Sequence, residues 1–380
     1  MSEFFAKNGV IVDQKNARVF LKGINYFGFE TNISCPHGIW SVSLDTLLDF
    51  IKRNQFNAIR VPISLQAVLT METLKPQSIN TSANPSLADS NLTVAKLLDT
   101  FVQKCRSRGL LILLDMHVHT PGGPIEESWT TSKYSEFDWI NGLIKLANRY
   151  KNQDHVFAFD LKNEPHGKTT WSQWAAAAER MAAAIHKVNP KVLIFIEGIE
   201  NPSNPDKNGS FWGGNLSDAK TRSIKLTVPN KLVYSPHVYG PDVFLQPYFT
   251  TKDYPQNLPV IWEKQWAYLK TQSLGTVVIG EWGGQYRPGS LDEKWQNAFG
   301  DFLRKNKIDN FYWCLNPNSG DTKGLLLDDW KTPNSEKLKL LAKVIPSPTP
   351  FIFAQGNSQA QPQLTRSPIP QTDETATQTP

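Results

Sequence analysis

A strict alternation constrains this chain more than any other feature: short apolar runs recur along it, and an amphipathic segment follows almost every one. The runs, rich in Val, Ile, Leu and Phe, cover residues 18–25, 58–62, 110–117, 156–161, 192–197, 232–235, 276–280 and 310–314. Helical periodicity marks 43–54, 92–108, 135–151, 171–188, 259–273, 290–306 and 335–344. A continuously apolar strand is buried on both faces, which requires a parallel sheet covered by helices. Eight such strands predict a closed (β/α)8 TIM barrel of the α/β class, forming a single catalytic domain over residues 1–345. The stretch after Glu197 lacks a helical pattern, so the fifth helix is expected to be short or replaced by a loop. Residues 9–19 read as a small hairpin able to plug the barrel floor.

Composition narrows the rest. The 40 Lys and Arg against 35 Asp and Glu give a net charge of +5, but the basic residues are scattered, so no nucleic-acid footprint is expected. No apolar stretch is long enough to span a membrane. Cys35, Cys105 and Cys314 are far apart and show no metal-ligand spacing, so buried free thiols are expected over a disulfide. From Pro346 onward Pro, Gln, Ser and Thr dominate. Residues 346–380 are therefore expected to be a disordered tail or linker, with a carbohydrate-binding module as the partner such a linker would carry. The start, Met1-Ser2-Glu3-Phe4-Phe5, has neither a basic nor an apolar leader region. The expectation is a secreted, extracellular monomer whose signal peptide is not in this chain, with a cytoplasmic location left open.

A barrel places its chemistry at the C-terminal ends of its strands. The fourth and seventh runs end on Lys162-Asn163-Glu164-Pro165 and Gly280-Glu281-Trp282. Two carboxyls converging over a barrel mouth suit acetal cleavage, in which one protonates the leaving oxygen and the other attacks the anomeric carbon or activates water. Asn163, beside the acid, can hydrogen-bond a sugar 2-hydroxyl. An arginine such as Arg60 beside a carboxylate favours the anion a nucleophile needs. Tyr239 can donate to Glu281, and His117 and His237 can orient hydroxyls or carboxylates. The chain has 12 tryptophans. Trp313 ends the eighth strand and offers a flat apolar face to a pyranose, with Trp40, Trp129, Trp212 and Trp282 as further platforms. A rival reading takes His117-Val118-His119, with His237 and Asp115, as a metal site. A second rival is a sugar-binding barrel without turnover. No phosphate-binding loop or zinc spacing is present, and the expectation is no metal and no organic cofactor.

Six motifs in order carry a resemblance: Gly23-Ile24-Asn25-Tyr26, Ile59-Arg60-Val61-Pro62, Asp160-Leu161-Lys162-Asn163-Glu164-Pro165, Ser235-Pro236-His237-Val238-Tyr239, Ile279-Gly280-Glu281-Trp282-Gly283 and Tyr312-Trp313-Cys314-Leu315-Asn316. With them the chain resembles glycoside hydrolase family 5, in particular its endo-β-1,4-glucanases, from Val19 to about Val344. The resemblance implies cleavage of cellulose or a related β-glucan polysaccharide with retention of configuration, or of mannan or another β-glycan in the same family. It implies Glu164 as acid/base and Glu281 as nucleophile, with Arg60, His117, Asn163, His237, Tyr239 and Trp313 lining the subsite of cleavage.

Overall fold

The computed structural model describes residues 3–204 and 208–353. Eight parallel strands form its centre: β3 (Lys22–Asn25), β4 (Ala58–Ser64), β5 (Leu111–Val118), β6 (Val156–Asp160), β7 (Leu193–Ile196), β8 (Leu232–Tyr234), β9 (Val278–Trp282) and β10 (Asp309–Tyr312). They pair in the order β8-β7-β6-β5-β4-β3-β10-β9. Bridges Tyr234↔Val277 and His237↔Glu281 then join β8 to β9, closing the (β/α)8 barrel. Outside it lie α1 (Leu44–Arg53), α2 (Leu65–Leu69), α3 (Val94–Ser107), α4 (Glu136–Arg149), α5 (Trp171–Val188), α6 (Leu258–Trp262), α7 (Tyr268–Thr271), α8 (Leu291–Asn306) and α9 (Ser335–Val344). A π-helical turn, Glu263–Ala267, joins α6 to α7. Between β7 and β8 the described residues form only a 3₁₀ turn, Ser217–Lys220, in place of a helix.

The helices start where the sequence supplies a side-chain cap. Ser43, Thr93, Ser135, Thr170, Ser290 and Asn334 each accept a backbone N–H of the first turn, and Ser135–Asp138 and Thr170–Gln173 complete capping boxes. Such a cap contributes roughly 1 kcal/mol and fixes where a loop hands over to a helix.

Strand alternation divides the interior. One set of side chains, including Ile24, Ile59, Ile112, Phe159 and Ile194, packs outward against the helices. The other set, including Leu21, Ala58, Leu111, Leu113, Leu193, Phe195 and Phe311, fills the lower barrel. Below it sits a hairpin of β1 (Phe4–Lys7) and β2 (Val10–Asp13), paired Phe4↔Asp13. Phe4 and Ile11 enter the inner core, and Val12 bridges Arg18 on the return. The plug expected over 9–19 thus begins earlier, at Phe4.

The boundary expected at Pro346 is corrected by the structure. Thr349 exchanges two backbone-directed hydrogen bonds with Phe20, at 2.9 and 3.0 Å, and its carbonyl accepts from Asn57 Nδ2 at 2.9 Å. Phe351 packs edge-on to Phe4 at 5.8 Å, and Phe353 lies against His155 at 5.4 Å. Gly109, at φ +64°, lies so close to the Phe351 carbonyl that a Cβ there would stand 2.0 Å from the oxygen. Residues 346–353 therefore belong to the barrel floor, and the rest of the expected tail, 354–380, lies outside the described residues. All three cysteines are buried free thiols. Among the described residues no helix is long and apolar enough to cross a membrane.

Candidate active site

Two residues above the lower core, the inward positions of the same strands turn polar. Arg60 on β4 is fully buried at the centre of this layer. Its guanidinium donates to Asp160 Oδ2 at 3.0 Å, Asn25 Oδ1 at 3.1 Å, Asn163 Oδ1 at 3.1 Å, Glu197 Oε1 at 3.2 Å and Glu281 Oε1 at 2.5 Å. Asp115 Oδ2 lies 3.1 Å from the same group. A buried cation is costly unless its donors are all matched, and here they are.

Glu281 ends β9, and its two oxygens are held separately: Arg60 Nη1 donates to Oε1, and Tyr239 Oη donates to Oε2 at 2.5 Å. Burial, with the charge of Glu281, holds the Tyr239 phenol well above its usual range, so it is a donor throughout. Glu164 follows β6 at φ +51°, a left-handed conformation unusual for glutamate. Its N–H donates to Glu197 Oε2 at 2.7 Å, and its Oε1 faces His237 Nδ1 at 3.1 Å. One ligand-type atom each of Glu164, His237 and Glu281 lies within 4.8 Å of the others.

The surrounding charges are set by burial. Burial pulls the His117 ring down to about 3, so it is neutral. Its Nδ1 faces Asp115 Oδ2 at 2.6 Å, and with the proton on that nitrogen Nε2 is left as an acceptor. Burial pushes Asp115 and Asp160 up to about 7 against the pull of Arg60. For His237 burial lowers the pKa, but the carboxylates of Glu197 and Glu281 outweigh it and hold the ring well above its ordinary value.

A cleft of about 480 Å³ opens over these groups, lined by His117, Asn163, Glu164, Trp212, Tyr239, Glu281 and Trp313 among others. Arg60 and His237 lie beneath it and act on the carboxylates from below. Trp313 stacks on Phe27 at 5.5 Å, and His37 and Trp40 continue this aromatic row outside the cleft. Trp212 is 41% exposed, with one face stacked on His166 at 3.8 Å. Trp282 is not a platform: it is fully buried among Trp295, Phe299 and Tyr312. Trp129 is nearly buried against Trp174.

The histidine pair of the metal reading does not assemble. His117 sits against Asp115 and Trp313, whereas His119 packs on Trp139 at 4.7 Å and Tyr134 at 5.8 Å. Among the described residues neither joins a set of three potential ligands; those sets are Glu164–His237–Glu281 and Asp160–Glu197–His237. Sequence reasoning left Asn25, Asp160, Lys162 and Glu197 out of the site. The available signal was parity: Glu197 lies two residues beyond Phe195 and four beyond Leu193, both inward-facing.

With that geometry in place, comparison with known proteins gives a consistent result. The model of the cellulase family, glycosyl hydrolase family 5, matches residues 12–319. An endoglucanase of Paenibacillus polymyxa is 40% identical over 365 residues, covering 94% of this chain and 90% of that protein. The major extracellular endoglucanase of Xanthomonas campestris is 42% identical over 342 residues, covering 87% of this chain and 69% of that one. Its solved catalytic domain superposes with a TM-score of 0.84 at 39% identity, over 90% of this chain and all (100%) of that one. A cellotetraose complex of an endocellulase variant from Pyrococcus horikoshii superposes at 0.85 with 38% identity, over 90% of this chain and 98% of that one. The barrel and its paired carboxylates define a polysaccharide-hydrolase class of site. The chain belongs to glycosyl hydrolase family 5.

Proposed function

We propose that this chain is a retaining endo-β-1,4-glucanase that cleaves internal bonds of cellulose or related β-glucans by double displacement, with Glu281 as nucleophile and Glu164 as acid and base. Glu281 attacks the anomeric carbon as Glu164 gives its proton to the leaving glycosidic oxygen. Water then displaces the Glu281 ester, handing a proton back to Glu164. One observation carries the assignment: a carboxyl oxygen of Glu164 and one of Glu281 lie within 4.8 Å of each other. Retaining enzymes hold their carboxyls about 5–5.5 Å apart, whereas inverting ones need about 6.5–9.5 Å to admit a water.

The neighbours fit these roles. Arg60 and Tyr239 grip both oxygens of Glu281, aiming a lone pair into the cleft. Asn163 Oδ1 accepts from Arg60, and its buried Nδ2 has no partner among the described residues. That N–H is free to meet a sugar 2-hydroxyl, a contact that strengthens in the transition state. Trp313 and Trp212 both line the cleft and offer flat faces to the sugars of the chain being cleaved. The name of the Xanthomonas relative favours secretion.

The test is by leaving group. Glu164→Ala should lower kcat/KM on cellooligosaccharides about 10³-fold, within the usual range for losing a general acid. It should spare glycosylation by an aryl cellobioside with a good leaving group, and azide should then accelerate turnover and yield a β-glycosyl azide. Equal losses on both substrates, with no azide adduct, would remove Glu164 from the acid/base role.

A further inference from the structure

Glu197 is a buried carboxyl that the double displacement does not use; burial pushes its pKa up, against the pull of His237 and Arg60. Its Oε2 accepts the N–H of Glu164 at 2.7 Å, and its Oε1 lies 3.2 Å from Arg60 Nη2 and 3.1 Å from His237 Nε2. The opposite nitrogen of that imidazole, Nδ1, lies 3.1 Å from Glu164 Oε1. Glu197 therefore holds the Glu164 backbone directly and lies beside the imidazole that faces the Glu164 carboxyl. Space has been cleared for it: at Gly213, φ +65°, a Cβ would stand 2.2 Å from Glu197 Oε2 and 3.1 Å from Glu164 Cα.

We propose that Glu197 is a positioning residue for the acid/base: it pins the left-handed backbone of Glu164 and keeps His237 as a doubly protonated bridge that aims the Glu164 carboxyl at the glycosidic oxygen. The proposal rests on the role of Glu164 given above. A left-handed glutamate is strained and persists only where its surroundings over-determine it. The short hydrogen bond that its N–H donates to Glu197 Oε2 is such a determinant.

His237 is faced by charge from every element packed on it. Arg60 of β4 and Lys162 after β6 are the cations, and Asp115 of β5, Asp160 of β6 and Glu281 of β9 join Glu164 and Glu197 as carboxyls. Tyr239 stands beside them as a neutral donor. Removing a carboxyl charge beside Nε2 lowers the proton affinity of the ring, so the donor facing Glu164 is lost at lower pH. The alkaline limb of the pH–rate profile must then move towards acid.

The experiment compares Glu197→Gln and Glu197→Asp with the wild type. Glu197→Gln should lower kcat on cellotetraose about 100-fold, comparable to misplacing a general acid, with KM changed less than threefold. Its alkaline limb should shift about one pH unit lower, and glycosylation by an activated aryl cellobioside should be nearly unchanged. Glu197→Asp keeps the charge and should leave the limb near the wild-type position. In the wild type, ¹⁵N NMR of labelled histidine should find His237 doubly protonated at the pH optimum, losing its proton along the alkaline limb. This measurement decides the matter even where a variant does not fold. A neutral His237 at the optimum, or a folded Glu197→Gln enzyme with wild-type kcat and limb, overturns the proposal. Azide rescue of Glu164→Ala tests the acid/base role separately. Success there with a normal Glu197→Gln profile removes only Glu197.

Discussion

At the floor of the barrel the inward side chains are Leu21, Ala58, Leu111, Leu193 and Phe311, whereas the same strands, two or four residues further on, carry Asn25, Arg60, Asp115, Glu197 and Trp313. The floor is covered by Phe4, Ile11 and the Phe351 segment and needs no water. The mouth buries Arg60, Lys162 and His237 among five carboxyls, Asp115, Asp160, Glu164, Glu197 and Glu281. A few ångströms along a strand thus separate a region whose burial stabilises from one where desolvation works against charge. The apolar end holds the strands in register, and that register converges the polar end on one point. Mutations at the two ends should separate accordingly, the mouth moving rate and the floor moving stability.

The largest effect expected is at the mouth. Glu281→Ala should lower kcat/KM on every substrate, aryl glycosides included, by about 10⁵-fold, near 7 kcal/mol at roughly 1.4 kcal/mol per decade. Steady-state assays on soluble cellulose and an aryl cellobioside check this, and a variant that spares the activated substrate would contradict the nucleophile assignment.

At the floor, ending the chain after Ile345 removes the Thr349 hydrogen bonds and the Phe351 and Phe353 contacts. A loss of about 3 kcal/mol is expected from two half-buried rings and three hydrogen bonds. The thermal midpoint should fall by a few degrees while kcat per folded molecule stays constant. A chain ending after Phe353 should match the full one in calorimetry. Equal midpoints for both truncations would show that the segment does not stabilise the floor.

The smallest effect concerns Glu30, in the loop after β3. Burial pushes its carboxyl up to about 8, against hydrogen bonds from the Gly28 N–H and its own. A carboxyl raised in the folded state contributes stability that is fully present below its unfolded pKa, near 4.5. That contribution is lost as pH rises through about 8. Glu30→Gln should therefore leave the midpoint nearly unchanged near pH 4.5 and raise it at pH 8. Parallel denaturation curves at both pH values would contradict this.

Much of the architecture was legible because buried parallel strands write continuous apolar runs and the helices between them an amphipathic period. The missing helix after β7 was equally visible as a missing period. The segment at 346–353 was misread for a physical reason: its prolines and hydroxyls dominate the composition, while the anchors are two phenylalanines spaced by one residue. Residues at strand ends, from Arg60 to Trp313, could be placed because the barrel fixes where strand ends point. Trp40 and Trp212 sit on loops, whose paths no periodicity encodes, so their different relation to the cleft emerged only from the structure. Asp160 and Glu197 were within reach of strand parity, but a charge inside an apolar run reads as an exception until the arginine it faces is known.

The central claim is that Glu281 and Glu164 act across one short gap, so that cleavage passes through a covalent glycosyl ester. Proton NMR of the anomeric signals of fresh product from cellotetraose tests it most directly. Double displacement predicts that the β-anomer forms first and mutarotates towards equilibrium. Early accumulation of the α-anomer would mean single displacement through a water, and would contradict both the gap and the role given to Glu281.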